Sequence, residues 1–238
     1  MKSHVIKMYA AAILLLWMGM AGATGDAVAA DSPLQQTLAH LDAASQKFTA
    51  AQASFEWDTF QRIINDTDKQ YGNIWFKRTG SGTEMRADVS DAPGAKPGQI
   101  VIYAQSKLEL YQPMIDEMKV FSAGKNSGQY ESFLTLGFGG SGTDLTKNWT
   151  VTYIDSEMMR GVKVTQLDLK PLQPSVAKMF THVTIWVDET RGISLQQKFF
   201  YPSGDYRTAI YSNISDKGVD GSRFQMPTTK KTKIDVMK

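Results

Sequence analysis

The residue types that do chemistry are thinly spread in this chain. It has three histidines and no cysteine, so cysteine nucleophiles, thiolate metal sites and disulfides are all excluded. His4 falls near the start, His40 on a predicted helix and His182 on a predicted strand, and neither H-E-x-x-H nor G-x-S-x-G occurs. No clustered carboxylates suggest a metal site, so no catalytic residue, metal or cofactor is assigned. The GFGGSG run from Gly137 to Gly142 matches G-x-G-x-x-G. It follows a predicted short helix rather than a strand and sits in no βαβ unit, so it reads as a mobile hinge and not as a dinucleotide loop. The acidic pairs Asp116–Glu117 and Asp188–Glu189 fall in predicted turns and read as solvated faces.

What remains is binding, and one stretch points to it. Residues 71–78, YGNIWFKR, alternate like a strand yet carry large apolar side chains on both faces. On period-2 geometry Ile74, Phe76 and Arg78 share one face, while Tyr71, Trp75 and Lys77 share the other. One face must meet the body of a sheet and the other a cover or a cavity. Arg78 ends an apolar row, where an uncompensated charge is costly, and this predicts a fixed polar contact inside a hydrophobic place.

The first 30 residues read as a leader. Lys2 and Lys7 precede an apolar run of about 13 residues, short of the roughly 20 that span a membrane. Ala27, Ala29 and Ala30 then offer an A-x-A-like cleavage site, with residues 21–23 as a second choice. Residues 31–238 are expected to form one exported, soluble domain, with no cysteine to receive a lipid anchor. The net charge of +2 argues against a nucleic-acid partner. Lys230, Lys231, Lys233 and Lys238 read as a solvated, mobile end.

The elements that would position these residues are mostly strands. Ser32 or Asp31 can cap a helix with Pro33 at its first position, and Leu34, Leu38, Leu41 and Phe48 give it an apolar stripe. Strands are predicted at 53–64, 70–78, 83–91, 99–104, 108–112 and 117–122, and again at 149–155, 162–170, 180–188, 193–201 and 205–213. Short connections between them suit antiparallel pairing, and a parallel sheet would need crossover helices. The fold class is therefore mainly β, an antiparallel barrel or strongly curved sheet of about eleven strands with one N-terminal amphipathic helix. Between the two sets Phe133, Leu134, Leu136 and Phe138 suggest a short hydrophobic helix, ended by the glycines at 137–142 and tethered like a lid.

In order and spacing these segments resemble the periplasmic lipoprotein carrier family of LolA and its receptor relative LolB. The GNIWFKR of 72–78 is similar to the family's G-x-L-W-x-K-R-P segment, residues 100–113 to its hairpin ending in aromatic-x-Pro, and Phe224 to Pro227 to its closing Phe-x-x-Pro. The resemblance implies a half-open barrel that encloses a cavity for acyl chains under a helical lid. Phe55, Trp57, Ile74 and Phe76 would then line the cavity, and Phe133, Leu134, Leu136 and Phe138 would cover it. It also implies that Arg78 bonds lid backbone and holds the empty cavity closed. The implied partners are acylated lipoproteins, an inner-membrane releasing transporter and an outer-membrane receptor, met by a monomer in the periplasm. Thr79 stands where the family has proline, and residues 80–86 replace its aromatic-rich strand, so a more polar rim is expected. A carrier of a glycolipid or isoprenoid, and an interaction or sensor module, are the other readings of the same pattern.

Overall fold

The computed structural model describes residues 32–80, 82–122 and 136–237. The expected leader, and Phe133 and Leu134 of the expected lid, lie outside them. Twelve strands form one sheet: β1 (Ala50–Gln61), β2 (Asp66–Thr79), β3 (Gly82–Ser90), β4 (Gln99–Ala104), β5 (Lys107–Gln112), β6 (Glu117–Ser122), β7 (Trp149–Met159), β8 (Val162–Pro171), β9 (His182–Asp188), β10 (Ile193–Phe200), β11 (Tyr206–Ser215) and β12 (Lys233–Met237). Their order is β12-β6-β5-β4-β3-β2-β1-β11-β10-β9-β8-β7. The edges, β12 and β7, are not paired with each other, so the barrel is half open. Two sequential meanders, β1–β6 and β7–β11, meet where β1 pairs with β11.

Helix α1 (Pro33–Lys47) starts as the sequence predicts. The Ser32 hydroxyl accepts from the Gln35 backbone N–H, and the Gln35 side chain accepts in turn from Ser32, a capping box with Pro33 just inside it. Leu41 is fully buried against the second meander, with Leu34 packed beside it. The helix is also pinned by Glu189 in the β9–β10 turn. Glu189 accepts from Thr37 Oγ1 at 2.9 Å and from Thr165 Oγ1, and His40 Nδ1 lies 2.6 Å from its other oxygen. Asp188 beside it is buried and caps the turn through the Thr190 and Arg191 backbone N–H groups. This acidic pair is thus a structural anchor and not the solvated face read from sequence, because the turn folds back beneath α1.

Burial pushes the Glu189 carboxyl up, but the hydrogen bonds from Thr165, His40 and Thr37 outweigh it and hold the group below its ordinary 4.5. A carboxyl depressed in the folded state contributes stability above its unfolded value and loses that contribution as pH falls through the folded one. Below pH 4.5, wild type is therefore expected to lose resistance to urea more steeply than Glu189→Gln. Unfolding midpoints measured across that window check this.

The C-terminal segment departs most from its expected form. After β11 the chain crosses the outer face of the sheet as a strap, with a 3₁₀ turn at Gly221–Phe224, and ends as β12, parallel to β6. Arg86, buried on that face, forms a two-point ion pair with Asp88 at 2.6 and 3.0 Å and donates to the Arg223 carbonyl at 2.8 Å. The Arg223 guanidinium lies 5.1 Å from the Trp75 ring centre. Asp116 fixes the far end of the strap by accepting from Thr229 and Thr232, and also from Tyr111, so this acidic turn too is an anchor. The tail is therefore a strap and a strand and not a mobile end. The strap is also the cover that the second apolar face of β2 required.

The expected lid is described only from Leu136 on, since Phe133 and Leu134 lie outside the described residues. Residues 136–140 are a turn and a single bridge, Phe138 to Ile193, rather than helix. A helix instead follows, α2 (Gly142–Asn148), capped by Ser141, whose hydroxyl accepts from the Asp144 backbone N–H. One further short helix, α3 (Pro174–Ala177), links β8 to β9.

Candidate functional site

The register of the sheet decides which side chains look inward. On β1 the row is Ala53, Phe55, Trp57 and Thr59, and these sit opposite Tyr211, Ala209 and Arg207 of β11 and Ile74 and Gly72 of β2. Ile74 and Phe76 in turn face Ala87 and Met85 of β3. An apolar cavity of about 200 Å³ lies within these rows. Trp57, Ile74 and Phe76 are on its wall. Phe55 is not: it is 3 % exposed and stacks behind Trp57 with ring centres 4.1 Å apart, so it supports the wall from the core.

Leu136 and Phe138 close the cavity from the segment between the meanders. Phe138 is 2 % exposed, stacks on Phe76 at 4.2 Å and meets Tyr211 edge-on at 4.9 Å. Space that the strands do not fill with their own side chains is filled by this ring. Residues 136–140 thus act as a plug.

The plug is held by its backbone. Gly139 N–H donates to the Gly192 carbonyl at 2.9 Å, Ser194 N–H donates to Gly137 at 2.7 Å, and the Gln197 amide donates to Leu136. The Gly139 carbonyl accepts from Ser45 Oγ at 2.8 Å and from Arg78 Nη2 at 2.7 Å. Arg78 Nη1 also donates to the Ser45 carbonyl at the end of α1. Arg78 therefore ties β2, α1 and the plug together. Its side chain stands at the exposed rim rather than inside the hydrophobic interior, because it occupies the last position of the inward row of β2. A hollow of about 830 Å³ with mixed walls adjoins it, where Thr79, Thr83 and Asp144 stand beside Leu41, Leu136 and Leu145.

Gly137 and Gly139 both have φ of +74°. A Cβ on Gly139 would run into the Phe48 ring, and one on Gly137 into Ser194. These glycines serve close approach and a left-handed backbone, not a mobile hinge.

Two polar groups in the cavity escaped sequence reasoning. Gln197 is buried, accepts from the Tyr211 hydroxyl at 2.9 Å and donates to the plug, so it links wall to cover. Burial drives the Tyr211 phenol well above its ordinary value, and it stays neutral. Arg207 also lines the cavity. The signal for it was the alternation Arg207, Ala209, Tyr211, which puts a cation on an inward row. Among the described residues, no group of three or more His, Cys, Asp or Glu could hold a metal ion, and no helix is long and apolar enough to cross a membrane.

No family model matches the chain, and no curated protein matches its sequence. Solved structures do share its fold. An uncharacterized conserved protein from Thermus thermophilus superposes with a TM-score of 0.55 at 9 % identity, covering 87 % of this chain and 100 % of that one. MucB gives a TM-score of 0.50 at 12 % identity over 83 % of this chain, which spans 64 % of the length of MucB. A LolA superfamily protein from Nitrosomonas europaea gives 0.42 at 13 % identity, over 82 % of this chain and 99 % of that one. At such identities the likeness is one of fold. The half-open antiparallel barrel, with its leading helix and its covered apolar interior, is the fold shared with the Thermus protein and with MucB.

Proposed function

We propose that this protein is a periplasmic carrier that holds the acyl chains of lipoproteins in its barrel and moves them from the inner to the outer membrane. The observation that carries this reading is the plug. An interior into which Phe138 packs from a segment outside the twelve strands can be emptied without unpairing them. At about 200 Å³ the plugged cavity is smaller than the roughly 300–1,000 Å³ of ordinary ligand pockets, so loading requires the plug to leave. Acyl chains need such a carrier, since each exposed methylene costs about 0.8 kcal/mol in water.

Release requires that re-forming the plug offset part of the lost burial, a population shift driven by differential contacts. Arg78 supplies such a contact, because its bond to the Gly139 carbonyl exists only with the plug in place, while its bonds to Ser45 hold the guanidinium against α1. An inner-membrane releasing transporter would load the carrier and an outer-membrane receptor would unload it. Arg78→Leu is expected to leave the fold intact and slow release several-fold. Native mass spectrometry of protein purified without detergent from a Gram-negative periplasm tests this. An acylated-protein adduct, enriched in Arg78→Leu, is the expected result, whereas an empty mass in both proteins overturns the reading.

A further inference from the structure

Two of the cations on inward rows, Arg78 and Arg207, are in opposite situations. Arg78 is occupied by the plug and by α1. Arg207 sits on the cavity wall, opposite Thr59 of β1 and Phe199 of β10, as the second residue of β11. Its Nε donates to Thr59 Oγ1 at 3.1 Å, and its guanidinium lies 5.2 Å from the Trp57 ring centre. These contacts fix the plane of the group and use one of its five donors. No ion pair forms at Arg207 among the described residues, although carboxylates pair with Arg86, Arg191, Lys69 and Lys233 elsewhere.

We propose that Arg207 is a headgroup anchor, and that beside its lipoprotein cargo the cavity takes a free single-chain amphiphile with an anionic head, a carboxylate or a phosphate. The proposal rests on the acyl-cavity reading above and adds to it a polar specificity. A guanidinium held flat by an aromatic ring and by a hydroxyl presents its two terminal amino groups as a preformed fork. Such a fork matches the two oxygens of a carboxylate or phosphate. The neighbouring wall, with Trp57, Phe199 and Phe180, is apolar and suits the alkyl chain. With the plug in place the cavity of about 200 Å³ has room for part of one chain at most, so a single-chain ligand needs less plug movement than a bundle of chains does. In a partly dry site an anion gains more from this cation than it would in water, while a neutral head of similar size gains little.

The test compares ligands that share a ten-carbon chain. Decanoate, decyl phosphate and monodecanoylglycerol are titrated calorimetrically into the purified protein at neutral pH, below their micellar concentrations. The anionic ligands are expected to bind wild type at least tenfold more tightly than the neutral one. Arg207→Gln is expected to abolish that preference while still binding monodecanoylglycerol, and Arg207→Lys to keep part of it. The stronger of the two anionic ligands distinguishes a fatty acid from a lysophospholipid as the natural source. Equal binding of all three ligands by wild type overturns the anchor and leaves the carrier reading standing. A preference that survives in Arg207→Gln also overturns it. No binding of any of the three removes the acyl cavity itself, and the anchor with it. The wild-type comparison decides even if Arg207→Gln does not fold.

Discussion

Phe138→Ala is expected to cost about 3–5 kcal/mol of folding stability and to raise uptake of apolar ligands at the same time. The ring is buried, stacks on Phe76 and meets Tyr211 edge-on, so its loss removes packing on two sides. Aromatic pairs of this kind contribute roughly 0.5–1.5 kcal/mol each beyond their burial. The surrounding strands are paired on both edges and can collapse only partly into the gap. In most cores such a gap is simply a defect. Here it joins the cavity already present between Trp57, Ile74 and Phe76. Urea unfolding gives the stability, and fluorescence titration with an apolar dye gives the uptake. A change below about 1 kcal/mol would show that the ring is not seated in solution, and the plug would then have to be abandoned as the closed state.

Gly139→Ala carries the second large effect, and it separates a hinge from a plug. A hinge glycine serves motion and accepts alanine readily, whereas Gly139 combines φ of +74° with the Phe48 ring against its α-carbon. The left-handed backbone costs a residue with a side chain about 1–2 kcal/mol, and forcing a methyl into the packed contact adds about 1–3 kcal/mol. A total loss of about 2–5 kcal/mol in urea unfolding is expected from these two terms. Gly140, which has open space where a Cβ would stand, is the internal control, and Gly140→Ala is expected to be nearly silent. Equal effects at the two positions would return the segment to the status of a flexible linker.

Much of this architecture is written in local pattern. Ser32 or Asp31 followed by Pro33 was enough to place the start of α1, because capping is decided by three or four neighbours, and the structure chooses Ser32 and adds Gln35 to it. The two-faced run of 71–78 announced a strand covered on both sides. What it could not announce was the cover. Trp75 is buried by a strap from residues 218–232, which has no periodicity and acquires its role only through Arg86, Asp88 and Arg223 meeting across the sheet. β12 escaped notice for a related reason: it is five residues long, lysine-flanked and paired only to an edge. Gly137 and Gly139 were misread because a glycine run in isolation signals freedom, and only the facing Ser194 and Phe48 turn these two positions into close contacts. In the site, Trp57, Ile74, Phe76, Leu136 and Phe138 were legible from alternation and resemblance. Gln197 and Arg207 were not singled out, since polar residues on a predicted strand are ordinarily assigned to its wet face.

The seam between β1 and β11 sets an order of assembly. Each meander is a series of hairpins whose partners lie close in sequence, so each can form quickly and locally. The seam joins Trp57 to Ala209, about 150 residues apart, and must wait for a search over the whole chain. Trp57 and Phe76 come from one meander, and Phe199 and Tyr211 from the other. Before the seam closes there are two half-sheets with bare apolar faces and no interior to offer. The cavity and the slowest contact of the fold thus arise in one event, and conditions that delay the seam expose those apolar faces to aggregation before they disturb either meander.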